Sequence, residues 1–570
     1  MVSDGEKQVP EGYRGNLTPD HAKAFKDAWE LLLDIFQRNC ERSDELERMG
    51  GPKAAQTGQE GSANTSSKEN SKESIKESSQ ENATSQDMKV LDEAVAKYGG
   101  RYLRQSFWDT VKMDAPDQFV LRFLRARKFD VDRSVAMLVG SIQFHLDIQT
   151  ETILFKGEEG LKDVPGFLNQ FRRGISYIEG NTDAHEFPIY FIHVARHLTS
   201  AQKPETLQQF VVLAMENVRL LCTPPIEKCV IVFDMTGFGL KNMDWNCVMF
   251  ILKCLEAYYP ESLQRIYIHG APWIFKGIWS ALQPLMDPEV QAKIRFSSKA
   301  QELEEYVPRS RFRKGMGGTL DWDWSYPEPE PGENALQKDT ETRVQLQREF
   351  RALCEQFEDA TQAWLGGDKE MEYRREVLTR QLRLKYYQMA PFVRAVTVYS
   401  RIKVLRNDFT IEWTYPQLDG SVQSQTVNER HNAPALLQWL REHGEDTLEN
   451  SVGGQKSPCM VAGTAFAPAE ATKHSPTEAT KHSPTEATSP PTAAGAAAGG
   501  TTGQSPAVPR KQRRKPVPQL DEATLASRGE RGSDSAASTP QRSSAVEATS
   551  PAAEDEAATR ARAGPPTPAA

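Results

Sequence analysis

The sequence predicts an α/β fold: a mostly parallel sheet with helices, preceded by an α-helical N-terminal domain and followed by a helical extension and a disordered tail. Three observations carry this. Between residues 174 and 306, short β-branched runs alternate with helical runs, as expected of parallel strands joined by crossover helices. Residues 15–40 and 88–149 instead place apolar residues at helical spacing. From about residue 450 the chain is Ala, Ser, Thr, Pro and Gly, which cannot supply a core.

Residues 1–40 hold one helix, with Thr18 as N-cap, Pro19 at its first position and Phe25, Ala28, Trp29, Leu32 and Phe36 on one face. Residues 41–87 are mostly Ser, Glu, Lys, Gln and Asn. With little beyond Leu46, Met49 and Ile75 to bury, they read as a disordered insertion within one small helical domain. Helical spacing resumes at Met88, and 88–150 complete that domain. Phe119, Val120, Phe123 and Leu124 form an apolar face there, followed by the basic Arg122, Arg125, Arg127 and Lys128.

Residues 151–325 form the α/β unit. Strands are predicted at 174–179 and 188–194 around a polar turn, at 229–233, at 264–269 and near 296. The run from Cys229 to Phe233 is continuously apolar, as in a sheet covered on both faces. Helices are predicted at 203–221, 243–258, 273–286 and 299–306, and the glycine-rich 315–320 closes the unit. Residues 321–334, rich in Pro and Glu, read as a linker. Residues 340–445 add a helical pair broken at Gly366-Gly367, with Phe350, Leu353, Phe357 and Trp364 on its apolar face. A hairpin around Asp419-Gly420 and a last helix at 433–441 follow. The tail, 450–570, repeats the string EATKHSPT and carries a basic cluster at 510–516, features through which protein partners could be recruited.

The net charge of −9 over 570 residues argues against nucleic acid as a partner. Seven scattered cysteines without a C-x-x-C pair suit reduced thiols in a cytoplasmic protein, not a disulfide framework or a zinc site. The first residues lack an apolar signal core, and no run approaches the roughly 18 apolar residues of a membrane span, so membrane contact is expected to be peripheral and transient. No nucleophile elbow, metalloprotease motif or Walker A loop is present. No enzyme is predicted, and no catalytic residue, metal or cofactor is assigned. His185, His193, His197 and His269 are too dispersed for metal ligation. Asp234 ends a buried strand, where a functional carboxylate and a turn cap are equal readings.

The helix predicted at 273–286 is unusually aromatic. Trp273, Ile274, Phe275, Ile278, Trp279 and Leu282 cover more than one stripe, while Lys276, Gln283 and Asp287 keep a polar side. A buried core helix has this composition. So does a helix that lies over an apolar cavity and swings towards a bilayer, where tryptophan favours the boundary.

In order along the chain, FLRARKFDVDRSVAML, PIYFIHV, VIVFDMTGFGLKNMDW, YYPESLQRIYIHGAPWIFKGIW, DPEVQAKI and GMGG resemble the CRAL-TRIO lipid-binding fold with its N-terminal helical domain, in particular the fungal phosphatidylinositol transfer proteins. The resemblance implies a bound phospholipid, phosphatidylinositol. It implies a headgroup site in which Arg127 and Lys293 face the phosphate and Glu261 accepts from inositol hydroxyls. It further implies a gate at 273–286, a pocket lined by residues including Tyr190, Cys229, Ile231 and Val290, and a monomeric carrier that moves lipid between membranes. Val290 stands where that family has a threonine. Cys229 and Ile231 stand where its founding members place the hydroxyl residues of a choline-lipid site. Two further readings therefore stay open: a carrier of a neutral, sterol-like ligand, and a membrane-sensing scaffold acting through the tail.

Overall fold

The computed structural model describes residues 9–49, 78–183, 185–222 and 226–445, with the backbone alone at 78–87. The predicted tail at 450–570 lies outside these residues. The chain begins with α1 (Pro19–Gln37), where Thr18 accepts a hydrogen bond from His21 N at 3.2 Å and Pro19 starts the helix. Phe25, Ala28, Trp29, Leu32 and Phe36 are all buried, as their spacing predicts.

The expected insertion is structured at both ends. Cys40–Arg48 is a helix, α2, and the next, α3, starts well before Met88 and spans Ser78–Tyr98. Residues 50–77 lie outside the described residues. The polar sequence of α2 is held by capping a neighbouring helix end: Ser43 Oγ donates to Tyr98 O at 3.1 Å and accepts from Tyr102 N at 3.2 Å. Gly99 makes this close approach feasible, since a Cβ there would lie 2.4 Å from Ser43 Oγ. The helices α4 (Gly100–Val111), α5 (Pro116–Ala126), α6 (Val131–Ile148), α7 (Thr150–Gly160) and α8 (Phe167–Arg172) follow.

The sheet has the order β1 (Ser176–Asn181), β2 (Pro188–His193), β3 (Cys229–Asp234), β4 (Leu263–His269) and β5 (Ile294–Ser297). β1 is antiparallel to β2 and the other neighbours are parallel. The parallel connections carry α9 (Pro204–Leu221), α10 (Trp245–Lys253, running into a π-turn at Cys254–Tyr258), α11 (Phe275–Leu282) and α12 (Pro288–Ala292). Strand alternation sorts the side chains into two layers. Ile189, Phe191, Val230, Val232 and Tyr267 pack against Leu303, Val307, Phe312 and Met316. The intervening residues face the opposite side.

Three expectations need correction. The helix at 273–286 is cut to Phe275–Leu282 plus a 3-10 turn, Gln283–Leu285, because Pro284 cannot continue an α-helix. At 299–306 only the 3-10 turn Ala300–Leu303 forms, its start held by Glu302, which accepts from Ser298 N at 2.6 Å. The expected linker at 321–334 is a packed strap. Trp324 stacks on Tyr177 with centroids 4.3 Å apart and donates to Phe171 O at 2.6 Å, and Tyr326 donates to Glu158 at 2.7 Å.

The helical pair α13 (Thr340–Leu365) and α14 (Glu370–Val393) completes the core of the N-terminal helices and does not stand apart from it. Phe357 meets Trp29 at 5.7 Å and Trp108 at 5.8 Å. Glu358 accepts from Trp108 Nε1 at 2.7 Å and from Arg104 Nε at 2.8 Å. A short helix, α15 (Val398–Arg401), leads to the predicted hairpin, β6 (Glu412–Pro416) and β7 (Val422–Thr426), with Gly420 at φ 83 in its turn. The helix α16 (Ala433–Glu442) ends the described chain.

Asp117 joins the two helical layers: it accepts from Trp29 Nε1 at 3.1 Å and pairs with the buried Arg375. Asp117→Ala leaves the Arg375 charge buried and unpaired. It should destabilise the protein by about 3–5 kcal/mol, measured as a lower urea midpoint with an unchanged slope.

Candidate functional site

The second face of the sheet is the floor of a cavity. Tyr190, Ile192, Cys229, Ile231, Phe233, Ile266 and Ile268 rise from it, and α9, α10 and Phe275, Trp279, Leu282 and Met286 of the 273–286 segment enclose it. The cavity has a volume of about 230 Å³. A single water needs roughly 10–15 Å³ on that measure, so this is ligand-sized space and not a packing defect. Its polar groups are largely spoken for. Tyr190 donates to Ser176 Oγ at 2.7 Å. Burial pushes the Cys229 and Cys247 thiols up to about 12, which makes them apolar wall and not nucleophiles.

Of the four predicted lining residues, Tyr190, Cys229 and Ile231 face the cavity. Val290 does not line it; it is buried on α12 in the cluster that includes Phe275, Leu282 and Met286. Of the predicted gate residues, Phe275 and Leu282 are buried anchors, while Ile274, Ile278 and Trp279 are half-buried. Trp273 precedes the helix and is 83% exposed.

The predicted headgroup residues are partly assembled. Lys293 Nζ lies 3.8 Å from Glu261 Oε1. Lys228 Nζ, which sequence reasoning missed, lies 3.5 Å from Glu261 Oε2. Glu261 adopts φ 56, a left-handed conformation costly for a non-glycine residue and concentrated at functional sites. None of the three charged side chains lines the cavity, but each is next in sequence to residues that do: Glu227, Cys229, Pro260, Ser262 and Ile294. Arg127 is not brought into contact with Glu261 or Lys293. Its Nη1 donates weakly to Ala126 O at 3.4 Å, and its buried Nε has no acceptor.

The end of the cavity is closed by buried charges. Lys112 lies 3.3 Å from Glu216, Glu216 3.0 Å from Arg219, Arg219 3.0 Å from Asp114 and Asp114 3.0 Å from Arg122. Arg122 then lies 3.7 Å from Glu227, and Glu227 2.6 Å from Arg125. Burial opposes the charge on Glu216, yet Arg219 and Lys112 outweigh it and hold the carboxyl well below the usual range. Asp114 is likewise lowered, by Arg122 and Arg219 against burial.

Asp234 acts as a turn cap. It accepts from Thr236 N at 3.0 Å and lies 3.0 Å from His193 Nδ1, and these bonds hold it at about 2 against the effect of burial. Its alternation with Phe233 turns it away from the cavity. Among the described residues, no group of three or more His, Cys, Asp or Glu side chains is placed to hold a metal ion, and no helix is long and apolar enough to cross a membrane.

Comparison with known proteins agrees with this architecture. The CRAL/TRIO domain matches residues 171–318, and the CRAL/TRIO N-terminal domain matches residues 72–140. A CRAL-TRIO domain-containing protein of Schizosaccharomyces pombe is 32% identical over 319 residues, covering 55% of this chain and 71% of that protein. The protein named phosphatidylinositol transfer protein CSR1 of Eremothecium gossypii is 29% identical over 323 residues, 55% of this chain and 74% of its own. A second CRAL-TRIO domain-containing protein of S. pombe is 27% identical over 322 residues, 54% and 88% respectively.

The lowered pKa values of Glu216 and Asp114 give a signed pH dependence. Their contribution is complete above the unfolded carboxylate values of about 4 and is lost as pH falls towards the folded values. Urea stability should therefore drop below about pH 4, and Glu216→Gln should flatten that drop. An unchanged acid slope in the variant would count against the role given to this carboxylate.

Proposed function

The chain belongs to the CRAL-TRIO domain family, and from that premise we propose that it binds phosphatidylinositol and carries it between membranes. The observation that carries this reading is the apolar cavity together with the cluster of Lys228, Glu261 and Lys293, each next in sequence to a residue that lines it. Acyl chains fill the cavity, each buried methylene contributing about 0.8 kcal/mol, and the charged headgroup stays at the wet rim. The Lys293 ammonium meets the phosphate and Glu261 accepts from ring hydroxyls. Arg127, with its bare Nε, turns to the phosphate when lipid is loaded. The E. gossypii relative, named for phosphatidylinositol transfer, supports this choice of headgroup.

The segment 273–286 serves as the gate. It is held down by Phe275, Leu282 and Met286, each worth about 1.5–3 kcal/mol of burial. Contact with a bilayer offsets that cost, because these side chains then exchange one apolar surrounding for another. Trp273 makes first contact. On this reading the protein is a binding protein and not an enzyme, with no cofactor, acting as a monomer that visits membranes peripherally from the cytoplasm. The apolar floor at Cys229 and Ile231 favours a neutral, sterol-like molecule over a choline lipid as a second ligand. The scaffold reading depends on the tail, outside the described residues.

Native mass spectrometry of the purified full chain should recover phosphatidylinositol. Lys293→Ala should lower that recovery about ten-fold, and Ile231→Trp, which fills the floor of the cavity, should empty it. Recovery of neutral lipids alone would sink the phosphatidylinositol reading. Trp273→Asp should slow exchange between vesicles while leaving bound lipid in place.

A further inference from the structure

We infer that Lys228 is a second phosphate-binding ammonium of the headgroup site, and that the site prefers an inositol phospholipid carrying a phosphate monoester on its ring. This rests on the phosphatidylinositol reading above. Lys228 and Lys293 flank Glu261 on its two oxygens, at 3.5 and 3.8 Å. Both distances exceed the roughly 2.7–2.9 Å of a direct charge-assisted hydrogen bond, so each ammonium keeps donors for a ligand. All three side chains are about one-fifth exposed, within reach of a headgroup and shielded enough for charge to count.

The phosphodiester is answered by Lys293 and Arg127, which leaves Lys228 without a phosphate partner in phosphatidylinositol itself. A ring monoester adds roughly −1.5 to −2 charge and three strong acceptor oxygens. Two ammoniums on opposite sides of a carboxylate suit two phosphates separated by ring hydroxyls, from which Glu261 accepts.

The N-terminal segment walls the same place. Tyr13 lies with its ring 3.7 Å from the Arg125 guanidinium and 5.8 Å from the Lys228 ammonium. Arg125 is committed to Glu227 at 2.6 Å, so it fixes Tyr13 and is not a free cation for ligand. The neighbouring Arg14 is held by Glu376 at 2.5 Å. Burial opposes the charge on Lys228, but Tyr13 and Glu261 outweigh it and keep the ammonium protonated.

The test uses the full chain and vesicles with equal phosphatidylinositol and phosphatidylinositol 4-phosphate, with bound lipid read by native mass spectrometry. Wild type should enrich the phosphorylated lipid. Lys228→Met should lower its recovery about ten-fold more than that of phosphatidylinositol, Lys228→Arg should restore the enrichment, and both variants should melt like wild type. Equal loss of both lipids in Lys228→Met, or a wild type that takes phosphatidylinositol but not the phosphorylated form, overturns this inference alone. Recovery of neither inositol lipid overturns the phosphatidylinositol reading with it.

Discussion

Seven buried charges of alternating sign, from Lys112 through Glu216, Arg219, Asp114, Arg122 and Glu227 to Arg125, hold together the parts on which the site depends. They come from the helical domain, from α9 and from the approach to β3. Such a ladder adds little net stability over an apolar core of equal volume, but breaking it strands a charge at a cost of about 3–5 kcal/mol. It therefore fixes one arrangement. Arg219 also donates to Thr110 O at 2.7 Å, and Arg383 and Arg394 of the second helical layer donate to Met113 O at 2.8 Å and to Asn217 Oδ1 at 2.8 Å. The carbonyls of Thr110 and Met113 at the end of α4 are thereby satisfied by arginines from two other helices. The ladder also closes the cavity with charge and puts Lys228 directly after its Glu227 member.

The sheet does the complementary work of partition. One face is filled by Leu303, Val307, Phe312 and Met316; the other stays unfilled above Ile231 and Ile268. A sheet left open at its edge would invite pairing with other chains. Here the free edge of β1 is covered by two hydroxyls: Ile178 N donates to Tyr399 at 2.8 Å and Asn181 N to Tyr415 at 3.1 Å. The C-terminal part of the chain thus seals the sheet as well as completing the helical core, and the strap with Trp324 joins these two tasks.

Strand and helix identity, the two-faced sheet and the aromatic cover were legible in the sequence because they depend on local periodicity. Cys229 and Ile231 alternate with Val230 and Val232, and that alternation alone assigns them to one face. The C-terminal end of α11 is set by Pro284, a signal that is itself local in the sequence. The packing of 321–334 and of Cys40–Arg48 was not available. Their compositions are those of linkers, and what orders them are partners such as Tyr177 and the end of α3, distant in sequence or across residues whose placement is not described.

By itself, the sequence determined the alternation of strands and helices and the apolar floor, while Glu261 and Lys293 became candidates only through the family resemblance. Only the tertiary structure decided which charges meet. Lys228 joins Glu261 because β3 and the turn before β4 start side by side, and Arg127 stays apart from it. Val290 packs with Phe275, Leu282 and Met286 and not into the cavity because α12 turns it there. Periodicity is written within a few residues, whereas ion pairs and cavity walls form between segments tens to hundreds of residues apart. Their geometry exists only once the burial of the rest has fixed where each segment runs.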